Sequence, residues 1–243
     1  MMDTILNIGL TSSGIDGLAR QNNSMHFALD SYRRLLQMFG AVVLHTPKKE
    51  FDRIIDAIRI REGVASDSEL SLEALKEICM QFKEAVKRHA GGAFTEDANE
   101  QLSLSINAVF ESWSNHRAAY YRCLNGIPDD LGTAVTIQAM VFGNAGLDSG
   151  TGVGFTRNPS TGAAEIFGEF LVNAQGEDIV AGTRTPVSLA ELATSMPQIY
   201  NQLAGIVLRL ERHYRDAQDF ESLSVANNGL MALLLATTYG VRR

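Results

Sequence analysis

The chain has 243 residues, 45% hydrophobic and 20% charged, enough to bury a core in one or two domains. Its net charge of −7 argues against non-specific nucleic-acid binding, which rests on basic patches, but not against a nucleotide that brings its own magnesium. Two distant cysteines, Cys79 and Cys123, fit a reducing cytoplasm, and neither a signal peptide nor an apolar run long enough for a bilayer is read in the sequence.

From residue 10 to about 95 the apolar positions recur at helical spacing. Phe27, Leu35, Leu36 and Phe39 form one set, Phe51, Ile54, Ile55 and Ile58 a second, and Leu75, Ile78, Phe82 and Val86 a third. Ser71 opens the third helix, with Glu73 and Glu77 near its N-terminus. Pro47, Gly63 and Gly91-Gly92 punctuate. The pattern predicts a helical subdomain of three or four helices. The domain reading is an N-terminal stub plus helical subdomain over 1–96 and a sheet-and-helix subdomain over 97–243. Within 97–125 a helix buries Leu102, Ile106, Val109, Phe110 and Trp113, breaks at Ser114-Asn115, and continues through Arg117 and Tyr121.

After Asn125-Gly126-Ile127-Pro128 the character changes. Ala134–Phe142 is a strand candidate rich in β-branched residues, Gly152–Thr156 a second, and Ala164–Val172 a third beyond a turn at Ser160-Thr161-Gly162. Glu191–Tyr214 reads as one helix with Leu203, Ile206, Val207 and Leu210 on its apolar face. Glu221–Thr237 reads as a strand pair turning at Asn227-Asn228-Gly229.

Three constellations carry chemistry. Glu177 and Asp178, beside Gly176, suit a bound cation or ribose hydroxyls, or else an ordinary solvated turn. Asp219 and Glu221 share a strand face, where they repel unless a cation lies between them, or else decorate a surface strand. Arg157 and Arg184 suit phosphate oxygens or salt bridges equally. Ser149–Gly154 resembles a phosphate loop, but a turn feeding a close-packed strand is favoured. The five histidines are scattered, and no nucleophilic triad or dyad is read; no catalytic residue is assigned.

The segments MMDTILNIGL, FALDSYRRLLQMFG, AVFESWSNHRAAYYR, GTAVTIQAMVFGN, SGTGVGFTRNPSTG and FGEFLVNAQGEDIVAGTRTP, in this order, resemble the nucleotide-binding domain of pyruvate, phosphate dikinases. The resemblance implies an α/β fold: an incomplete ATP-grasp-like domain with an attached helical subdomain. It implies a kinase-type phosphotransferase that makes phosphoenolpyruvate from pyruvate, ATP and phosphate through a phosphohistidine on a swivelling domain. Position by position it implies that Gln138, Met140 and Val141 lie along adenine and that Glu177 and Asp178 serve the nucleotide. It also implies that Asp219 and Glu221 serve magnesium and the triphosphate, and that Arg33 is a family arginine of the helical subdomain. The family's phosphate-gripping lysine and arginine precede the position of Met1, and Leu235 and Thr237 stand where the family has a glutamine and an arginine. The expectation is therefore a fragment truncated at both ends, with weak or absent MgATP binding, inactive alone, and paired with itself or with a complementing chain. The alternative is a non-catalytic remnant acting as an interaction or self-association module.

Overall fold

A computed structural model describes residues 3–180, 182, 184–225 and 229–236. They form a mixed α/β protein that divides into two compact units, 1–140 and 141–243. The helices Ala98–Glu111 and His116–Asn125, which the sequence reading grouped with the sheet, belong to the first unit.

The first unit is helical: α1 (Ile15–Asn22), α2 (Met25–Val42), α3 (Lys48–Glu62), α4 (Leu72–Ala90), α5 (Ala98–Glu111) and α6 (His116–Asn125). Capping fixes their starts. The Ser24 hydroxyl accepts from the Phe27 amide and Ser71 from the Ala74 amide. Gly63 and Gly91 close α3 and α4 in the left-handed conformation, with φ of 68° and 69°. The three apolar sets read from the sequence, apart from the buried Phe27, meet in one core, where Phe39, Phe51, Leu75 and Phe82 are fully buried. Phe51 and Phe82 pack edge to face with centroids 4.8 Å apart.

Polar groups lock this core at three places. Asp30 takes Arg33 Nη2 at 2.7 Å on one oxygen and Arg34 Nε at 2.8 Å on the other. Glu96 Oε1 accepts from Lys83 Nζ at 2.6 Å and from the Tyr32 hydroxyl at 2.8 Å, and the Ser12 amide donates to Oε2 at 2.7 Å. Gln101 accepts from the Gly9 amide at 2.8 Å and donates to the Leu10 and Thr95 carbonyls. The last contact resets the phase of α5. Gln101, Ser105 and Ala108 are its buried residues, whereas Phe110, expected in the buried stripe, is 46% exposed.

The second unit is a five-stranded antiparallel sheet with helices. Its strands are β1 (Gly150–Phe155), β2 (Phe167–Val172), β3 (Val187–Ser188), β4 (Asp219–Val225) and β5 (Gly229–Ala236), in the order β3-β2-β1-β4-β5. Its helices are α7 (Gly176–Val180), α8 (Leu189–Ser195) and α9 (Pro197–Tyr214). On one face Phe170 and Phe220 pack with Leu189, Leu192, Leu203 and Val207 of α8 and α9. On the other, Val153 packs against Leu171, Ala174 and Ile179.

Two expected elements differ. Ala134–Phe142 is not a strand: no ladder bond reaches it among the described residues, and a β-branched run without a partner does not make a strand. The helix expected over 191–214 is two, because Pro197 occupies the first turn of α9 and the chain bends at Met196 (φ −136°, ψ 66°). The expected pairing of the last two strands is present, while Asn227, Asn228 and Thr237 lie outside the described residues. No described helix is long and apolar enough to cross a membrane.

Candidate functional site

In the second unit, the candidate acids of β4 lie on the sheet face that carries Val153. Antiparallel pairing puts directly opposed residues on one face. Val153 opposes Glu221 on β4 and Glu169 on β2, and Phe155 opposes Asp219. This row therefore carries three acids: Asp219 and Glu221 on β4 and, across Val153, the exposed Glu169. Sequence reasoning missed Glu169, since only the strand register reveals that it lies level with Glu221.

Asp219 and Glu221 are half-buried. Burial raises both carboxyls above the usual carboxylate range, and the charge of Asp219 raises Glu221 further. Ionising the pair therefore costs more in the folded protein than it does for free carboxyls.

Three glycines of β1 admit the neighbours that build this sheet. A methyl on Gly154 would meet the Phe167 carbonyl oxygen at 2.7 Å and Phe220 Cζ at 3.0 Å, and one on Gly152 would meet Ser222 Oγ at 2.8 Å. The glycine run thus feeds a close-packed strand, as its sequence suggests.

At the Gly150 end, the segment after Val141 is tied to the end of β2. The Ala174 amide donates to the Gly143 carbonyl at 2.9 Å, the Asn173 amide to Ser149 at 2.8 Å, and Gln175 Nε2 to Asn144 Oδ1 at 3.1 Å. Val141 is half-buried beside this staple. In the first unit, Gln138 is exposed and Met140 half-buried, both outside any helix or strand.

Glu177 and Asp178 lie in the first turn of α7, where acids complement the helix dipole. Asp178 accepts from the Gln175 amide at 2.9 Å, so one of its oxygens closes the turn that starts α7. Ile179, the next residue, packs in the cluster that includes Val153. Among the described residues no group of three His, Cys, Asp or Glu is arranged to hold a metal ion. The α7 acids thus do not complete a cage with the β4 pair.

The arginines have structural partners. Arg157 donates through Nε and Nη2 to Glu211 Oε1, at 2.9 and 2.6 Å. Arg184 donates to the carbonyls of Val172 and Asn173, at 3.0 and 2.9 Å, and braces the exit from β2. Arg33, buried in the first unit, donates to Asp30 and Gln37. Leu235 is paired with Phe220 along β5.

Comparison with known proteins gives the family. The model of the pyruvate phosphate dikinase AMP/ATP-binding domain matches residues 1–199. The chain belongs to this family. It is 50% identical over 222 residues to the pyruvate, phosphate dikinase of Clostridium symbiosum, covering 91% of this chain and 25% of that protein. It is 48% identical over 238 residues to that of Giardia intestinalis, covering 96% of this chain and 27% of that protein. The chloroplastic enzyme of Flaveria pringlei is 48% identical over 237 residues, covering 98% of this chain and 25% of that protein. The chain thus spans about a quarter of the length of these relatives.

Proposed function

We propose that this chain is the ATP- and magnesium-handling part of a cytoplasmic pyruvate, phosphate dikinase, built on an ATP-grasp-like sheet. The reaction it would serve takes ATP, pyruvate and phosphate to phosphoenolpyruvate, AMP and diphosphate through a phosphohistidine elsewhere. The observation that carries the reading is the β4 pair. Two acids lie on one strand face, each with its ionisation disfavoured, in a member of an AMP/ATP-binding domain family.

The donor set fits magnesium on a nucleotide. Mg²⁺ favours one or two carboxylates plus phosphate oxygens over an all-protein cage, and a cation removes the penalty on ionising Asp219 and Glu221. When bound, the ion would neutralise charge on the phosphates. In this reading Asp219 and Glu221 hold it, Glu177 and Asp178 serve the nucleotide, Gln138, Met140 and Val141 lie along adenine, and Arg33 supports the helical part.

The cations that would grip phosphate are sparse. No lysine follows Lys87 in the sequence, and Arg157 and Arg184 are engaged with Glu211 and with β2 carbonyls. Binding of MgATP by this chain alone is therefore weak, and dikinase turnover by it alone is not expected.

Calorimetry and thermal shift with MgATP test the assignment. A weak, magnesium-dependent rise in stability that the double variant Asp219→Asn, Glu221→Gln abolishes supports it. A rise unchanged in that variant refutes the role of the pair.

A further inference from the structure

We infer that Thr156 is a positioning residue for the magnesium pair: its hydroxyl pins the peptide that opens β4 and so fixes the face on which Asp219 and Glu221 stand. The inference rests on the nucleotide reading and adds to it a residue that acts only through those two acids.

Thr156 follows β1 directly and is 5% exposed. Its amide donates to the Gln218 carbonyl at 2.9 Å, and the Gln218 amide donates to its Oγ1 at 2.9 Å. A continuing antiparallel ladder would send that second bond to the backbone carbonyl of Thr156. The side chain takes it instead, and regular pairing stops at Phe155 and Asp219. The approach to β4 is short. Arg215 caps α9 in the left-handed conformation, φ 56°, and only residues 216–218 lie between it and Asp219. Gln218 Nε2 donates to the carbonyls of Asp216 and Ala217, which folds this linker on itself, and Thr156 ties it to β1.

Register at this point decides the chemistry. Side chains alternate along a strand, so a slip of one residue would exchange the two faces. Phe220, now packed with Leu189 and Leu203, would turn to the Val153 side, and the two acids would turn toward α8 and α9. The pair itself works against the correct start, because two carboxylates on one face repel and a strand end relieves this by fraying. The bonds to Thr156 oppose that. Beyond Glu221, Thr151 Oγ1 donates to the Ser222 carbonyl at 3.3 Å and Ser222 Oγ to the Gly152 carbonyl at 3.4 Å. Both acids are thus held between hydroxyl contacts that cross from β1 to β4.

Amide exchange and MgATP calorimetry on the full chain test this, with ATP plus chelator as control. Thr156→Val keeps the volume and removes the acceptor, and Thr156→Ser keeps the acceptor. In Thr156→Val the Gln218 amide should exchange about tenfold faster, the amides of 220–224 should keep their rates, and magnesium-dependent affinity for ATP should fall about tenfold. Thr156→Ser should match wild type in all three. A valine variant with a lower melting temperature but unchanged affinity has lost only a structural contact, and that result overturns the inference. So does protection lost evenly along β4, or a serine variant that behaves as valine does. A wild type that shows no magnesium-dependent binding defeats the nucleotide reading and the inference with it, whereas the preceding failures leave wild-type binding intact. Should Thr156→Val fail to fold, the wild type decides. Coupling is reciprocal, so MgATP should slow exchange of the Gln218 amide relative to ATP plus chelator, and an unchanged rate refutes the inference.

Discussion

Asp219 raises Glu221: the two stand on one face of β4, and the charge of the first adds to burial in making the second harder to ionise. A carboxyl whose pKa rises on folding weakens the folded state once it ionises, and the loss is relieved as pH falls through its raised value. Glu221→Gln should therefore raise the melting temperature of the ligand-free protein near neutral pH. The gain should vanish in acid, where Glu221 is protonated in both states. Thermal melts of both proteins across pH, without magnesium, check this.

Glu96 runs the other way. Burial opposes its ionisation, but Lys83, the Ser12 amide and hydroxyl and the Tyr32 hydroxyl outweigh burial and lower its carboxyl from 4.5 to about 2. Its contribution is complete above pH 4.5 and disappears as pH falls through about 2. Because Lys83 and Glu96 are 34% and 40% exposed, solvent screens the pair, and Glu96→Ala should cost about 1 kcal/mol at neutral pH. Denaturant midpoints of variant and wild type should converge in strong acid.

Asp30 holds two guanidinium groups at once, and it and Arg33 are 7% and 2% exposed. Asp30→Ala leaves both arginines short of their counter-charge, one of them deep in the first unit. A loss of about 3–5 kcal/mol is expected, read as a shift in the urea midpoint.

Two glycine substitutions should move stability in opposite directions. Gly154→Ala drives a methyl against the Phe167 carbonyl, backbone that cannot swing away, and should cost about 1–3 kcal/mol. Gly205, inside α9, has nothing within 4 Å of an added methyl, so Gly205→Ala should stabilise by about 0.5–1 kcal/mol. Both are read by thermal denaturation.

The helical unit was legible because its apolar residues repeat at the helical period and because Ser71, Gly63 and Gly91 mark boundaries by local chemistry alone. The break in the long helix was also written locally, in Pro197, yet the run of apolar residues across it masked the signal. Ala134–Phe142 misled because strand propensity is realised only by a neighbour, and no window of sequence contains the neighbour. Burial of Gln101 was invisible for a similar reason: its partners are backbone groups of residues 9, 10 and 95. At the candidate site the β4 pair was legible from its spacing of two, whereas Glu169 required the register through Val153. The arginines could not be assigned from sequence, since Glu211 lies 54 positions from Arg157.

The crowding around β1 separates two kinds of signature. Gly154 is forced by the Phe167 carbonyl and by Phe220, so any chain that builds this sheet must keep it whether or not it ever meets a nucleotide. SGTGVGF is accordingly a stamp of architecture. Asp219 and Glu221 are the opposite case: the sheet would stand more easily without their charges, so no demand of the architecture accounts for them.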